Sequence, residues 1–298
     1  MARIFVSGAN GFIGQRLTRH LLRAGHEVIG GVRQACTLAD GVTMLVTGDL
    51  ADAAPQLTGI DAVIHTAGLA HSHGRTLKDM RRGNVLAAQN LAYATPPEAR
   101  FLFLSSIIVH GRACENTLTE TSSPAPADDY ARSKFEAEQA LAAILGNRLC
   151  VVRPTAVIGP HCPGNIPLLI KALRAGVPLP LASLHNQRSF IDVEDLAALL
   201  TVLLAPTAPK LVLAANPTPV STPALIRALA KGLNCRAHLW PFPLAGLKLA
   251  ANLTGKSTMW QSLSGNLVVA PQAALDMGWR PAQTLLESFT QTAQASTQ

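Results

Sequence analysis

The chain is poor in aromatic residues and has no unbroken hydrophobic run, no block of like charges and no paired cysteines. Each absence removes a class of protein. Five cysteines, Cys36, Cys114, Cys150, Cys162 and Cys235, stand far apart in sequence, which argues against a disulfide framework or a zinc cluster. They read as reduced thiols in a cytoplasm. His161-Cys162 has no second pair nearby, so no metal site is expected. The longest apolar segment, Leu239 to Leu253, is interrupted by Pro241, Pro243 and Lys248. That is too short and broken to span a bilayer, and it reads as lobe core or an interface. No signal peptide is expected, because the first hydrophobes belong to a strand and no basic stretch precedes them. Composition is otherwise that of a folded globular chain, with disorder expected only in the polar tail from Gln291 to Gln298.

A formal net charge of +7 over 298 residues suits acidic ligands, among them phosphorylated small molecules. Arg75, Lys78, Arg81 and Arg82 form the densest basic group and read as a solvated helix face. Without zinc-finger spacing or an aromatic RNA-binding signature, no nucleic-acid partner is expected.

The most informative segment lies near the start. A short apolar strand, Ile4-Phe5-Val6, runs into Gly8-Ala9-Asn10-Gly11-Phe12-Ile13-Gly14, and an amphipathic helix follows at once. Glycines permit a tight turn and close approach of backbone to ligand, while the free N–H groups and positive end of the helix face an anion. Glycine spacing alone is a weak signal; the strand before it and the helix after it turn it into a dinucleotide-pyrophosphate site.

Strand-like and helical runs then alternate over Arg3–Ser7, Gly11–Ala24, Glu27–Gly31, Thr43–Val46, Ala62–His65, Lys78–Tyr93, Phe101–Ser105, Asp129–Leu145 and Leu149–Arg153. This rhythm predicts an α/β fold with a Rossmann-type doubly wound parallel sheet, which binds ligands at the carboxyl ends of its strands. After Arg153 prolines punctuate short segments. A helix at Val193–Leu204 and a strand at Leu211–Ala214 look like returns to the main sheet, and a small, mostly helical lobe begins near Asn216. The expected division is a nucleotide-binding domain over 1–160, its sheet completed by 190–215, and a substrate lobe from 161–189 and 216–298.

Tyr130-Ala131-Arg132-Ser133-Lys134 opens the Asp129–Leu145 helix, and a spacing of four puts the phenol and the ammonium on one face. A cation there is expected to lower the phenol's pKa from about 10, making Tyr130 an acid/base group. Ser105 and Ser106 close the candidate fifth strand, where Ser106 can hydrogen-bond a substrate oxygen beside Tyr130.

With Gly8, Gly11 and Gly14, Ser106, and the Tyr130-xxx-Lys134 pair in this order, the chain resembles the extended short-chain dehydrogenase/reductase family, the NAD-dependent epimerases and dehydratases, whose members act largely on nucleotide-linked sugars. The resemblance implies cofactor contacts from Asn10, Phe12 and Ile13 in the glycine loop. It adds Asp49 and Leu50 at the adenine, Thr66, Ala67 and Gly68 after the fourth strand, and Tyr130, Lys134 and Pro154. It also implies catalytic roles for Ser106, Tyr130 and Lys134, with Asn84 supporting their geometry or serving only as a polar helix-face residue. Substrate contacts implied are Ser106, Tyr130, Asn165 and Arg188, the last in Arg188-Ser189-Phe190-Ile191-Asp192, where an arginine holds a nucleotide diphosphate. Gly278-Trp279-Arg280-Pro281 resembles the family's usual ending. Ala156 stands where many epimerases and dehydratases carry asparagine, and Ile107-Ile108 follows Ser106 where dehydratases carry acids. Both departures demote sugar dehydration.

The second strand ends in Val32-Arg33, with no carboxylate to bind a ribose 2′-hydroxyl. Arg33 can grip a 2′-phosphate, so NADP(H) is expected over NAD(H). An exchangeable reduced cofactor suits a net reductase. The expected activity is reduction of the C4 ketone of a nucleotide-linked, UDP-type deoxy amino sugar for surface polysaccharide. Alternatives are a UDP-sugar 4-epimerase with tightly bound NAD, a reductase of a small carbonyl compound, and a non-catalytic dinucleotide sensor. The resemblance also implies a homodimer through the helices near 78–93 and 129–145.

Overall fold

The computed structural model describes residues 1–69, 74–255 and 257–296, without the side chain of Thr258. Strand β1 (Arg3–Ser7), helix α1 (Phe12–Arg23), β2 (Glu27–Val32), β3 (Val42–Val46) and β4 (Ala62–His65) come first. Next is one long helical segment in three parts: α2 (Leu77–Met80), a π-helical turn (Arg81–Leu86) and α3 (Ala87–Ala94). Then follow β5 (Arg100–Leu104), α4 (Asp129–Leu145), β6 (Leu149–Pro154), β7 (Ala156–Ile158), α5 (Ile166–Arg174), β8 (Phe190–Asp192), α6 (Val193–Val202) and β9 (Leu211–Ala214). Helices α7 (Thr222–Gly232), α8 (Leu244–Leu253), α9 (Ser257–Ser264), α10 (Gln272–Asp276) and α11 (Leu285–Ala295) complete the chain.

Seven strands form one sheet in the order β3-β2-β1-β4-β5-β6-β9, every pairing parallel. Strand pleating explains why these runs are apolar throughout. In β1, Ile4 and Val6 enter one core and Phe5 the other; in β5, Leu102 and Leu104 part from Phe101 and Phe103 in the same way. Leu17 and Leu21 of α1 and Leu196, Leu199 and Leu200 of α6 cover the first face, while Leu91 of α3 and Ala137 and Leu141 of α4 cover the second. The order of strands reverses between β1 and β4, and their carboxyl ends, Ser7 and His65, open the crevice there.

A third core joins β7 and β8 to α5, α7 and α11, with Phe190 packed edge-on against Phe289 at 5.2 Å. Burying Phe289 completely contributes about 1.5–3 kcal/mol. The same packing corrects the expectation of a disordered tail. Helix α11 continues to Ala295, because Phe289, Thr292 and Ala293 form a buried stripe against the lobe. The β7–β8 ladder is a further departure, since three-residue strands carry too little pattern to be read in advance.

Candidate active site

The glycine loop turns back on itself between β1 and α1. Gly8 N–H and Ala9 N–H donate to Gly31 O at 3.0 and 3.2 Å, and Gly11 N–H donates to Gly8 O at 2.9 Å. Gly8 has φ +70, where a side chain is strained, and a Cβ on Gly14 would stand 2.1 Å from Gly8 O. Gly11 caps α1 without any side-chain hydrogen bond, so the N–H groups of Phe12, Ile13 and Gly14 are left for an anion. This cradle fits a dinucleotide pyrophosphate.

Thr66, Ala67 and Gly68 continue from β4 across the crevice. Thr66 Oγ1 donates to Ser7 O at 2.7 Å, and Ala67 N–H donates to Ser7 Oγ at 3.3 Å. Ser7 Oγ also bonds His65 Nδ1 at 2.6 Å; burial pushes this histidine down to about 3, so it is neutral. A Cβ on Gly68 would meet Asn84 Oδ1 at 3.0 Å and Lys134 Nζ at 3.7 Å. Gly68 is therefore the floor of the place where Lys134 emerges.

Ser106 sits beyond β5 as the cap of a short 3-10 turn, near enough for its hydroxyl to act on the Tyr130 phenol. Asp128 caps α4 through Ala131 N–H at 2.8 Å and so fixes the turn that carries Tyr130. Asn84, 1% exposed in the π turn, accepts from Leu69 N–H at 2.7 Å and donates to Ser133 Oγ at 2.9 Å; Ser133 in turn donates to Tyr130 O at 2.8 Å. Asn84 is thus linked through Ser133 to the backbone of Tyr130. It joins the loop after β4 to the helix that bears the tyrosine, and the π turn aims it there.

The expected lowering of the tyrosine pKa is not found. Burial pushes Tyr130 up to about 12, opposed by the Ser106 hydrogen bond and by Arg112, with Asp128 adding to the rise. Lys134 is not among these influences; its ammonium stands 4.3 Å from the Phe103 ring centre, and Glu138 is the anion acting on it. Burial pulls Lys134 down to about 8. In this state Tyr130 is a neutral phenol.

Behind these groups lies a buried polar network that the sequence did not reveal. Glu138, one turn beyond Lys134, accepts from Ser105 Oγ and takes Arg153 through Nε at 3.0 Å and Nη2 at 2.5 Å. Arg153 Nη1 then donates to His110 Nε2 at 2.9 Å, leaving Nδ1–H to donate to Ser123 O at 3.2 Å. Ser105, Glu138, Arg153 and His110 are all buried. The signal available was the recurrence of four from Tyr130 to Lys134 to Glu138 on one helix face.

The remaining expected residues divide by location. Arg33 is exposed at the end of β2, with Nη2 3.8 Å from Asp49 Oδ2; Arg82 reaches the same oxygen at 3.4 Å and Asp52 at 2.7 Å. Leu50 puts its side chain in the core and gives its carbonyl to Asn90 Nδ2 at 2.8 Å. Pro154 ends β6 beside Ala214, and Asn165 is exposed at the start of α5. Arg188 donates to the carbonyls of Gly265 at 2.9 Å and Arg112 at 3.3 Å. It meets no carboxylate among the described residues, and burial together with neighbouring Arg112 pulls it down to about 10. A cation so placed favours an anionic ligand.

Known proteins share this arrangement. The sequence model of the NAD dependent epimerase/dehydratase family matches residues 4–212. UDP-glucose 4-epimerase of Vibrio cholerae is 33% identical, covering 98% of this chain and 94% of that protein. The dTDP-6-deoxy-L-talose 4-dehydrogenase (NAD(P)(+)) of Kitasatospora kifunensis is 30% identical, over 96% of this chain and 93% of its own. Among solved structures, UDP-glucuronic acid 4-epimerase from Bacillus cereus in complex with NAD shares the fold, with a TM-score of 0.78 at 18% identity over 99% of each chain. With a pyrophosphate cradle, a serine–tyrosine pair and relatives matched end to end, the chain belongs to the NAD dependent epimerase/dehydratase family and is an NAD(P)-dependent enzyme.

Proposed function

We propose that this enzyme reduces the C4 ketone of a nucleotide-linked, UDP-type deoxy amino sugar with exchangeable NADPH, as a step in making surface-polysaccharide precursors in the cytoplasm. The observation that carries this reading is the end of β2, where Arg33 is exposed and no carboxylate closes the strand to hold a ribose 2′-hydroxyl, as suits an exchangeable NADPH. A ketone needs an acid at its oxygen, whereas oxidation of an alcohol needs a base. In reduction the neutral Tyr130 phenol serves as that acid.

In this reading the sugar C4 oxygen lies between the Ser106 and Tyr130 hydroxyls. Ser106 donates a hydrogen bond that polarises the carbonyl, and Tyr130 delivers the proton to the developing alkoxide. The bound dinucleotide supplies the hydride. Lys134, beside Gly68, holds the nicotinamide ribose. Asn84 and Ser133 keep the Tyr130 turn in place, so that little geometry has to be found during turnover. Arg188 takes the diphosphate, with Asn165 at the other side of the substrate, and Asp49 and Leu50 lie at the adenine. Arg33, with no acid closing β2, takes the ribose 2′-phosphate once released from Asp49.

A second reading, UDP-sugar 4-epimerisation, is supported by the 33% identity to UDP-glucose 4-epimerase across almost the whole chain. Both are tested by offering NADPH with UDP- and dTDP-linked 4-keto sugars and following absorbance and product stereochemistry. Oxidation of NADPH by one keto sugar supports the reductase. Interconversion of 4-hydroxy sugars without added cofactor supports the epimerase.

We further propose a homodimer through α3 and α4, where Tyr93 is 71% exposed beside a groove lined by Ala92, Ala143 and Ile144. Tyr93→Arg is expected to halve the mass seen by light scattering; a monomeric parent protein refutes the assembly.

A further inference from the structure

We propose that the α8 face of the C-terminal lobe docks the enzyme onto an anionic phospholipid surface. Two independent features support this. The first is an apolar helix left uncovered. Helix α8 (Leu244–Leu253) is built of Leu, Ala and Gly with only Lys248 and Asn252 as polar residues, yet none of its residues is buried. Leu249 is 60% and Leu253 79% exposed, and only Leu247 of this helix packs against the lobe's core. Just before it, Trp240 is 44% exposed and packs edge-on against Phe242 at 5.4 Å. Helices α1, α7 and α11, by contrast, each bury an apolar stripe.

The second feature is electrostatic. Between Asp195 and Asp276 the sequence contains no Asp or Glu at all, while Lys210, Arg227, Lys231, Arg236, Lys248 and Lys256 lie within it. Arg227, Lys231, Arg236 and Lys248 are exposed. Residues 196–275, which include the uncovered helix, therefore carry charge of a single sign.

These features select the occupant. A second copy seated on this face would bring its own acid-free stretch around α8, so that like charge opposes like. An anionic bilayer attracts the same cations and accepts the apolar side chains below its headgroups. Trp240 belongs at such a boundary, with a ring that is apolar over its body and polar at its N–H. Lys248 can lay its stem along the apolar surface and keep its ammonium among the phosphates. The helix is too short to cross, and among the described residues no helix is long and apolar enough to do so. The contact is thus peripheral and lies in the plane of the interface.

The experiment is co-sedimentation of the full-length protein with vesicles of equal parts phosphatidylglycerol and phosphatidylethanolamine, beside vesicles of phosphatidylcholine alone. The parent protein is expected to pellet with the anionic vesicles, to release as salt rises, and to ignore phosphatidylcholine. Leu249→Glu with Leu253→Glu is expected to weaken binding at least about tenfold, as is Arg236→Glu with Lys248→Glu. Both variants should keep the parent melting temperature and turnover of soluble substrate. No binding to anionic vesicles, or equal binding to neutral ones, overturns the proposal. So does a parent dimer that Leu249→Glu with Leu253→Glu converts to monomer, since a second copy then covers the face. A rise in KM for the nucleotide sugar with vesicle binding intact also overturns it, because the segment is then a substrate lid.

Discussion

At the carboxyl end of β5 the polar groups are buried and bonded to one another, whereas at the carboxyl end of β2 they are exposed and balanced only by charge. Ser105, Glu138, Arg153 and His110 form a continuous buried chain behind Ser106 and Lys134. Arg33, Arg82, Asp49 and Asp52 form a loose surface cluster at 2.7 to 3.8 Å. The first arrangement is costly to disturb, since a buried charge without its partner is strongly unfavourable. The second is cheap to rearrange, because exposed ion pairs are screened and contribute little. In the proposed mechanism the chemistry is fixed by the buried chain beside β5, while cofactor choice stays adjustable at the end of β2.

The sharpest way to break this contrast is at the acid itself. Tyr130→Phe removes the proton donor without altering the cradle, so turnover is expected to fall about 10²–10⁴-fold while dinucleotide binding, followed by fluorescence titration, stays intact. Full activity in that variant contradicts the mechanism. Behind it, Glu138→Gln leaves Arg153 buried without its anion and should cost about 3–5 kcal/mol in denaturant unfolding. Glu138→Asp, which keeps the charge, should recover a large part of that loss.

At the exposed cluster beyond β2 the expected effect is smaller and of another kind. Arg33→Glu should invert the preference between NADPH and NADH, changing the ratio of their kcat/KM values about ten- to a hundredfold with stability unaltered. An unchanged preference removes Arg33 from cofactor selection.

The subtlest test uses pH. Lys134 lies near 8 in the fold against an ordinary 10.5, so its ammonium is lost as pH rises through about 8, while Tyr130 stays protonated until about 12. Reductive kcat/KM should therefore decline above about pH 8, well before the tyrosine titrates. Stability should move the other way. Between about 8 and 10.5 the unfolded chain binds the additional proton, so the penalty of burying the ammonium is relieved as pH rises. Melting curves of the parent and Lys134→Met should converge across that window; a constant difference shows that Lys134 does not titrate there.

Much of the fold was legible because its information is local. Arg3–Ser7, Ala62–His65, Leu211–Ala214 and Asp129–Leu145 are apolar or amphipathic runs closed by turn residues, and each lies where periodicity places it. Ser106 and Tyr130 were legible as a pair because strand end and helix start converge at the crevice. The state of Tyr130 was not, because desolvation depends on packing that spacing cannot convey. Nor was the partnership of Glu138 with Arg153 and His110, which brings together residues from α4, β6 and the turn after β5. The salt link of Arg33 to Asp49 escaped for the same reason: it crosses from β2 to the loop after β3.

Net reduction with an exchangeable cofactor is the central claim, and the fate of a labelled hydride tests it most directly. The purified enzyme is incubated with NADPH deuterated at the transferring position and a UDP-linked 4-keto sugar, and the product is read by NMR. The account predicts one deuterium at C4 of the sugar for each NADPH oxidised. Interconversion of C4 epimers of a UDP-sugar with no deuterium incorporated and no NADPH consumed would contradict it.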